Sequence, residues 1–178
     1  MKYDPLKHHR RSIRLKKYDY SEAGAYFVTV CTQWRLPLWG EIVFDDAVGA
    51  FLEPTLAGEM VAQGWMETKI RFPGVSLDEW CLMPNHLHAL VVLPENFEFE
   101  FFDIVHDFKS WTTTLYCRGV HAGKFEPFEK RVWHRNYFER VVRDERELQC
   151  ARDYIRNNPG KWLEDKLNPA NPLKKRKS

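Results

Sequence analysis

"VSLDEWCLM" (75–83) and "HLHALVVL" (86–93), with Pro84 and Asn85 between them, decide how this chain is organised. Each run is rich in β-branched, aromatic and aliphatic residues, the composition that fits a pleated, half-buried surface. Two intervening residues of turn type join such runs as a β-hairpin. In the second run His86, His88, Leu90 and Val92 alternate with Leu87, Ala89, Val91 and Leu93. Side chains at i and i+2 of a strand share a face, so both imidazoles point the same way. A strand that is apolar on both faces belongs in the middle of a covered sheet.

Working outward, "AYFVTVCT" (25–32) predicts a strand. Residues 45–64 predict a helix capped by Asp45 or Asp46, with Phe51, Leu52, Leu56 and Met60 at helical spacing. Pro54 interrupts that pattern, because it removes a backbone donor. Downstream, Phe101, Ile104, Val105, Phe108, Trp111 and Leu115 recur every three or four positions, the stripe of an amphipathic helix over 101–117. "YFERVV" (137–142) predicts another strand. Asp144 with Glu147 has capping-box spacing and opens a helix through Leu148, Ala151 and Ile155, which Pro159 and Gly160 stop. Strand, helix, two strands, helix, strand, helix is the order of an α+β fold, a central antiparallel or mixed sheet with helices packed on its faces.

The chain has 178 residues, 44% of them hydrophobic and 15% aromatic, enough for one domain with a real core. The apolar run "HALVVLP" falls well short of the ~20 residues a membrane helix needs, and no signal-peptide pattern opens the sequence. Cys31, Cys81, Cys117 and Cys150 have neither zinc-knuckle nor disulfide-scaffold spacing. A cytoplasmic, reduced protein without membrane contact is expected. The net charge of +2 divides unevenly: +5 on residues 1–20, +4 on 161–178 and −7 between them. Basic ends could release counterions on meeting nucleic acid, or simply keep the domain in solution.

Two features carry potential chemistry. His86 and His88 can hold one divalent metal between them, although two histidines at a strand end are more often only hydrogen-bonded. In "DYIRNNP" (153–159), Tyr154 and Asn158 are i and i+4 and share a helix face. A phenol can act as a nucleophile and an amide oxygen can ligate Mg²⁺ or Mn²⁺. A lone tyrosine on such a helix is ordinarily a packing residue.

Together the two features resemble a known pattern. "PNHLHALVVL" is similar to the HUH motif (histidine, hydrophobic, histidine) of nucleases that cut single-stranded DNA with a tyrosine. The similarity continues through "YFVTVCTQWRLPLWGEI" (26–42), "FPGVSLDEWCLMPNHLH" (72–88), "FKSWTT" (108–113) and "VWHRNYFERVVRDERELQCARDYIRNNPGKW" (132–162). In this order the segments resemble the single-tyrosine HUH transposases, most of all the REP-associated tyrosine transposases of bacteria. The resemblance covers about residues 20–165 and departs at His134, where the family pattern has Gln.

The resemblance implies a ferredoxin- or RRM-like HUH sandwich over residues 21–162, flanked by a basic N-terminal segment (1–20) and a basic C-terminal tail (163–178). It implies that His86, His88 and Asn158 bind Mg²⁺ or Mn²⁺, with no small-molecule cofactor. It implies that Tyr154 attacks a phosphodiester, leaving a 5′-phosphotyrosine and a free 3′-OH. The expected partner is single-stranded DNA folded into a hairpin, a REP-like palindrome, and the expected state is a monomer. Lys109, Arg135, Arg152 and Arg156 are candidates for DNA backbone contacts. Trp111, Trp133 and Tyr137 could stack on bases, but core packing is the stronger expectation. One rival is an inactive hairpin-binding module of the same fold. A histidine-triad hydrolase needs a third histidine where Leu90 stands.

Overall fold

The computed structural model describes residues 23–171. The basic segment 1–20 and the "KKRKS" terminus, for which affinity for phosphates is expected, lie outside them. Strands β1 (Gly24–Cys31), β4 (Ser76–Met83), β5 (His86–Leu93) and β6 (Phe138–Val142) form one sheet in the order β4-β5-β1-β6. All three pairings are antiparallel, with Thr29 opposite His88 and Cys31 opposite His86. The expected central strand is β5: it lies inside the sheet, and seven of its eight residues are buried.

The alternation along β1 and β5 divides the apolar side chains between two layers. Tyr26, Val28, Val30, Leu87, Ala89, Val91 and Leu93 form the main core with α1 (Leu56–Met66) and α3 (Phe101–His121), through Val61, Trp65, Ile104, Val105 and Phe108. On the other face a small cluster of Phe27, Leu90 and Ile155 lies under α4 (Glu145–Asn157). The α3 helix runs one turn beyond the periodic stripe, to His121. For α4, Asp144 is the N-cap and its side chain accepts from Glu147 N.

The expected helix over 45–64 is corrected. Residues 40–54 are a separate hairpin, β2 (Gly40–Asp45) and β3 (Gly49–Pro54), and the helix starts only at Leu56. Asp45 does cap, but it caps a turn: its side chain accepts from Ala47 N and Val48 N, and Gly49 follows at φ +83°. The helix cap is Thr55, whose hydroxyl accepts from Gly58 N directly after Pro54. A short helix α2 (Thr68–Arg71) follows α1.

Candidate active site

Because β5 alternates, His86 and His88 emerge on the α4 side of the sheet, at the end where the strand enters from the Pro84–Asn85 turn. Both are buried, and their Nε2 atoms lie 3.0 Å apart. The opposite nitrogens are engaged: His88 Nδ1 meets Thr29 Oγ1 at 2.8 Å, and His86 Nδ1 meets Asn85 Oδ1 at 2.7 Å. The Asn85 oxygen can only accept, so His86 carries its proton on Nδ1 and turns an Nε2 lone pair toward His88. Asn85 is itself buried, and its amide nitrogen donates to Arg35 O and Leu167 O.

Burial holds both imidazoles in the neutral, ligating form. Desolvation, then the neighbouring His88 and Arg35, push His86 well below its ordinary value. Desolvation lowers His88 to about 3. A divalent cation suits two neutral imidazoles that face one another over such a distance.

Three more groups converge here. Tyr154, half-exposed on α4, brings its hydroxyl to 3.5 Å from His88 Nε2, with its ring edge-on to Phe27. Burial and the Asp165 carboxylate raise its pKa, and a hydrogen bond from Asn158 opposes them. Asn158, one helical turn on, is buried, and its Oδ1 has no hydrogen-bond partner. Beyond the 3-10 turn Pro159–Glu164, Asp165 Oδ2 lies 3.8 Å from His86 Nε2. Ligand atoms of His86, His88 and Asp165 lie within 4.8 Å of one another. The donor set therefore fits a divalent cation that accepts both nitrogen and oxygen ligands: two imidazoles, one carboxylate and an orphaned amide oxygen.

The site opens into a cleft of about 1280 Å³, lined among others by Phe27, His134, Phe138, Arg140 and Lys161. The sequence expectations for Tyr154, His86, His88 and Asn158 thus meet at one place. Lys109 does not line the cleft: its Nζ donates to the carbonyls of His134 and Arg135, and burial lowers it to about 8. Arg135 is exposed on the adjacent loop. Arg152 and Arg156 face away from the cleft and pair with Asp78 and Glu79. Trp133 packs in the core, with its Nε1 donating to Thr112 Oγ1. Tyr137 packs against the same core and also lines the cleft, and Trp111 Nε1 donates to Glu67. Sequence reasoning misses Asp165, Thr29 and Asn85. Asn85 stands beside the first histidine, which is a signal of a kind, but nothing near Thr29 or Asp165 in sequence points to this site.

A sheet carrying paired histidines, faced by a helix carrying a tyrosine and an amide, is the arrangement that the resemblance to transposases leads one to expect, and a transposase family model matches this chain. Residues 61–158 match the model of the IS200-like transposases, a span that contains His86, His88, Tyr154 and Asn158. This chain belongs to that family. It is 34% identical over 179 residues to an uncharacterised protein of Haemophilus influenzae, covering 93% of this chain and 97% of the relative. It is 26% identical to a protein of the same organism named as a REP-associated tyrosine transposase, over 80% of this chain and 74% of that one. A solved REP-associated tyrosine transposase bound to a REP hairpin shares the fold, with TM-score 0.57 and 21% identity over 84% of this chain and 74% of its own. Among the described residues no helix is long and apolar enough to cross a membrane.

Proposed function

We propose that this transposase cuts and rejoins single-stranded DNA at REP-like hairpins through Tyr154. The observation that carries the reading is the convergence of the Tyr154 hydroxyl, the facing Nε2 atoms of His86 and His88, and the unpartnered Oδ1 of Asn158. His86, His88 and Asn158 would hold Mg²⁺ or Mn²⁺, with Asp165 beside them. Such an ion supplies Lewis-acid polarisation of the scissile phosphate. Tyr154 Oη forms a bond to phosphorus as the bond to the 3′ oxygen breaks, giving a 5′-phosphotyrosine and a free 3′-OH. The new ester retains the energy of the old one, so a second 3′-OH can reseal the strand without a nucleotide cofactor. With an ion on both Nε2 atoms each imidazole would carry its proton on Nδ1, where Asn85 Oδ1 and Thr29 Oγ1 are placed to accept it.

The hairpin substrate is inferred from the relatives named as REP-associated, one of which is solved on a REP hairpin. The test incubates a labelled hairpin with a single-stranded extension and Mn²⁺, and looks for an SDS-resistant adduct. The adduct should form with the wild type, vanish in EDTA and vanish in Tyr154→Phe, which removes only the hydroxyl. An adduct that persists in Tyr154→Phe would refute the nucleophile. Tight hairpin binding without any adduct would identify an inactive binding module.

A further inference from the structure

Burial does little to fix Tyr154 in place. Ile155 is the one buried residue of α4, whereas Tyr154 is 48% exposed. At about 100° per residue, Ile155 points to the sheet and Tyr154 to the cleft. Arg152 and Arg156, nearly superposed, project on the flank opposite Tyr154.

That flank meets β4. Arg152 donates through Nε and Nη2 to Asp78 Oδ1 and Oδ2, at 3.0 and 2.6 Å. Arg156 donates through Nε to Glu79 Oε1 at 3.0 Å, and through Nη2 to the same oxygen. Consecutive strand residues ordinarily point to opposite faces. Here the register of β4 against β5 shifts between Leu77 and Trp80, and this bulge lets Asp78 and Glu79 both reach α4. The Arg152 guanidinium holds the Asp78 carboxyl below its ordinary value.

We propose that Asp78 and Glu79, through Arg152 and Arg156, set the roll of α4 about Ile155 and are positioning residues for the Tyr154 hydroxyl. The proposal rests on the reading of Tyr154 as nucleophile. A forked guanidinium–carboxylate pair fixes orientation as well as distance. Two pairs one helical turn apart, the Arg152 pair forked over both carboxylate oxygens, therefore resist a roll that the narrow apolar stripe of Ile155, Ala151 and Leu148 alone permits. Rolling the helix either way moves the phenol off His88, so the ion pairs act on the far side of the helix from the chemistry.

The test uses Arg152→Ala, Arg156→Ala, Asp78→Asn, Glu79→Gln and the swap of Asp78→Arg with Arg152→Asp. It measures adduct formation in a single turnover at saturating hairpin, hairpin affinity at two salt concentrations, and hydrogen exchange of the α4 amides. Arg152→Ala and Asp78→Asn should each slow the adduct about tenfold or more, as a misplaced nucleophile does. Affinity should be unchanged, exchange should quicken in α4 alone, and the swap should recover most of the lost rate. Single variants that all react at the wild-type rate would overturn the proposal. So would arginine variants that lose affinity with a shallower salt dependence while Asp78→Asn keeps its rate, because the arginines would then be phosphate contacts. If the wild type forms no adduct, the nucleophile reading falls and exchange alone decides the ion pairs: unaltered exchange in Arg152→Ala overturns their positioning role.

Discussion

Asn85→Ala should loosen both the protein and its hold on a divalent ion, and the two effects can be measured apart. The side chain is fully buried and makes three hydrogen bonds: 2.7 Å with His86 Nδ1, 3.0 Å to Arg35 O and 2.9 Å to Leu167 O. Truncation strands all three partners. A buried group left unpaired costs about 1–3 kcal/mol. The lower end applies because Arg35 and Leu167 lie at positions that water reaches, so the total is about 3 kcal/mol. For a domain of this size each kcal/mol lowers Tm by about 2–4 °C, giving a drop of about 6–12 °C. Freeing His86 from its acceptor should separately weaken Mn²⁺ binding about 10–100-fold. Thermal melting and calorimetric titration with Mn²⁺ read the two effects. Asn85→Asp separates them further, because it keeps an acceptor for His86 but loses the donors to the two carbonyls. It should melt early yet bind Mn²⁺ better than Asn85→Ala does. Undiminished Mn²⁺ affinity in Asn85→Ala would refute the claim that this amide orients His86.

Thr29→Val should leave the buried His88 Nδ1 unpartnered, costing about 1–3 kcal/mol of stability and lowering Mn²⁺ affinity by about tenfold or more. Gly58→Ala should destabilise by about 1–3 kcal/mol, because the added methyl would overlap the Trp39 carbonyl where α1 passes over it; an unchanged Tm would refute that close approach. Deleting residues 174–178 should weaken binding to matched and scrambled hairpins alike, with the salt slope falling by about 0.7–0.9 for each phosphate the segment no longer neutralises. Weakening confined to the matched hairpin would show instead that the segment reads sequence.

The sheet was legible because its strands announce themselves locally. The turn at Pro84–Asn85 and the alternation of β5 placed two imidazoles on one face, and the structure keeps them there. Residues 45–64 misled because Asp45 and Thr55 are both good caps, and Pro54 fits a strand end as well as the lead-in to a helix. The deciding signal was Gly49, whose positive φ closes the turn between β2 and β3. At the site, the proposed ligand residues could be picked out from same-face spacing together with the family resemblance, but the residues beside them could not. Thr29 meets His88 only through the β1–β5 register, and Asp165 reaches His86 only after the chain turns at Pro159–Glu164. The roles of Arg152 and Arg156 were hidden for the same reason. A basic helix flank reads alike whether its partner is a phosphate or a carboxylate contributed by a distant strand.

The bulge in β4 has a second consequence, for the company the sheet keeps. An edge strand with a regular row of unpaired amides and carbonyls is a template on which another chain can add a strand. Among the described residues, both edges of this sheet spoil that template. At one side β4 breaks its register between Leu77 and Trp80, next to two acidic side chains. At the other, β6 is only five residues long, with Glu139 and Arg140 at its centre and Arg143 just past its end. A strand approaching from either direction meets a kink or a charge, so the chain can expose a rigid sheet beside its cleft without inviting edge-to-edge aggregation.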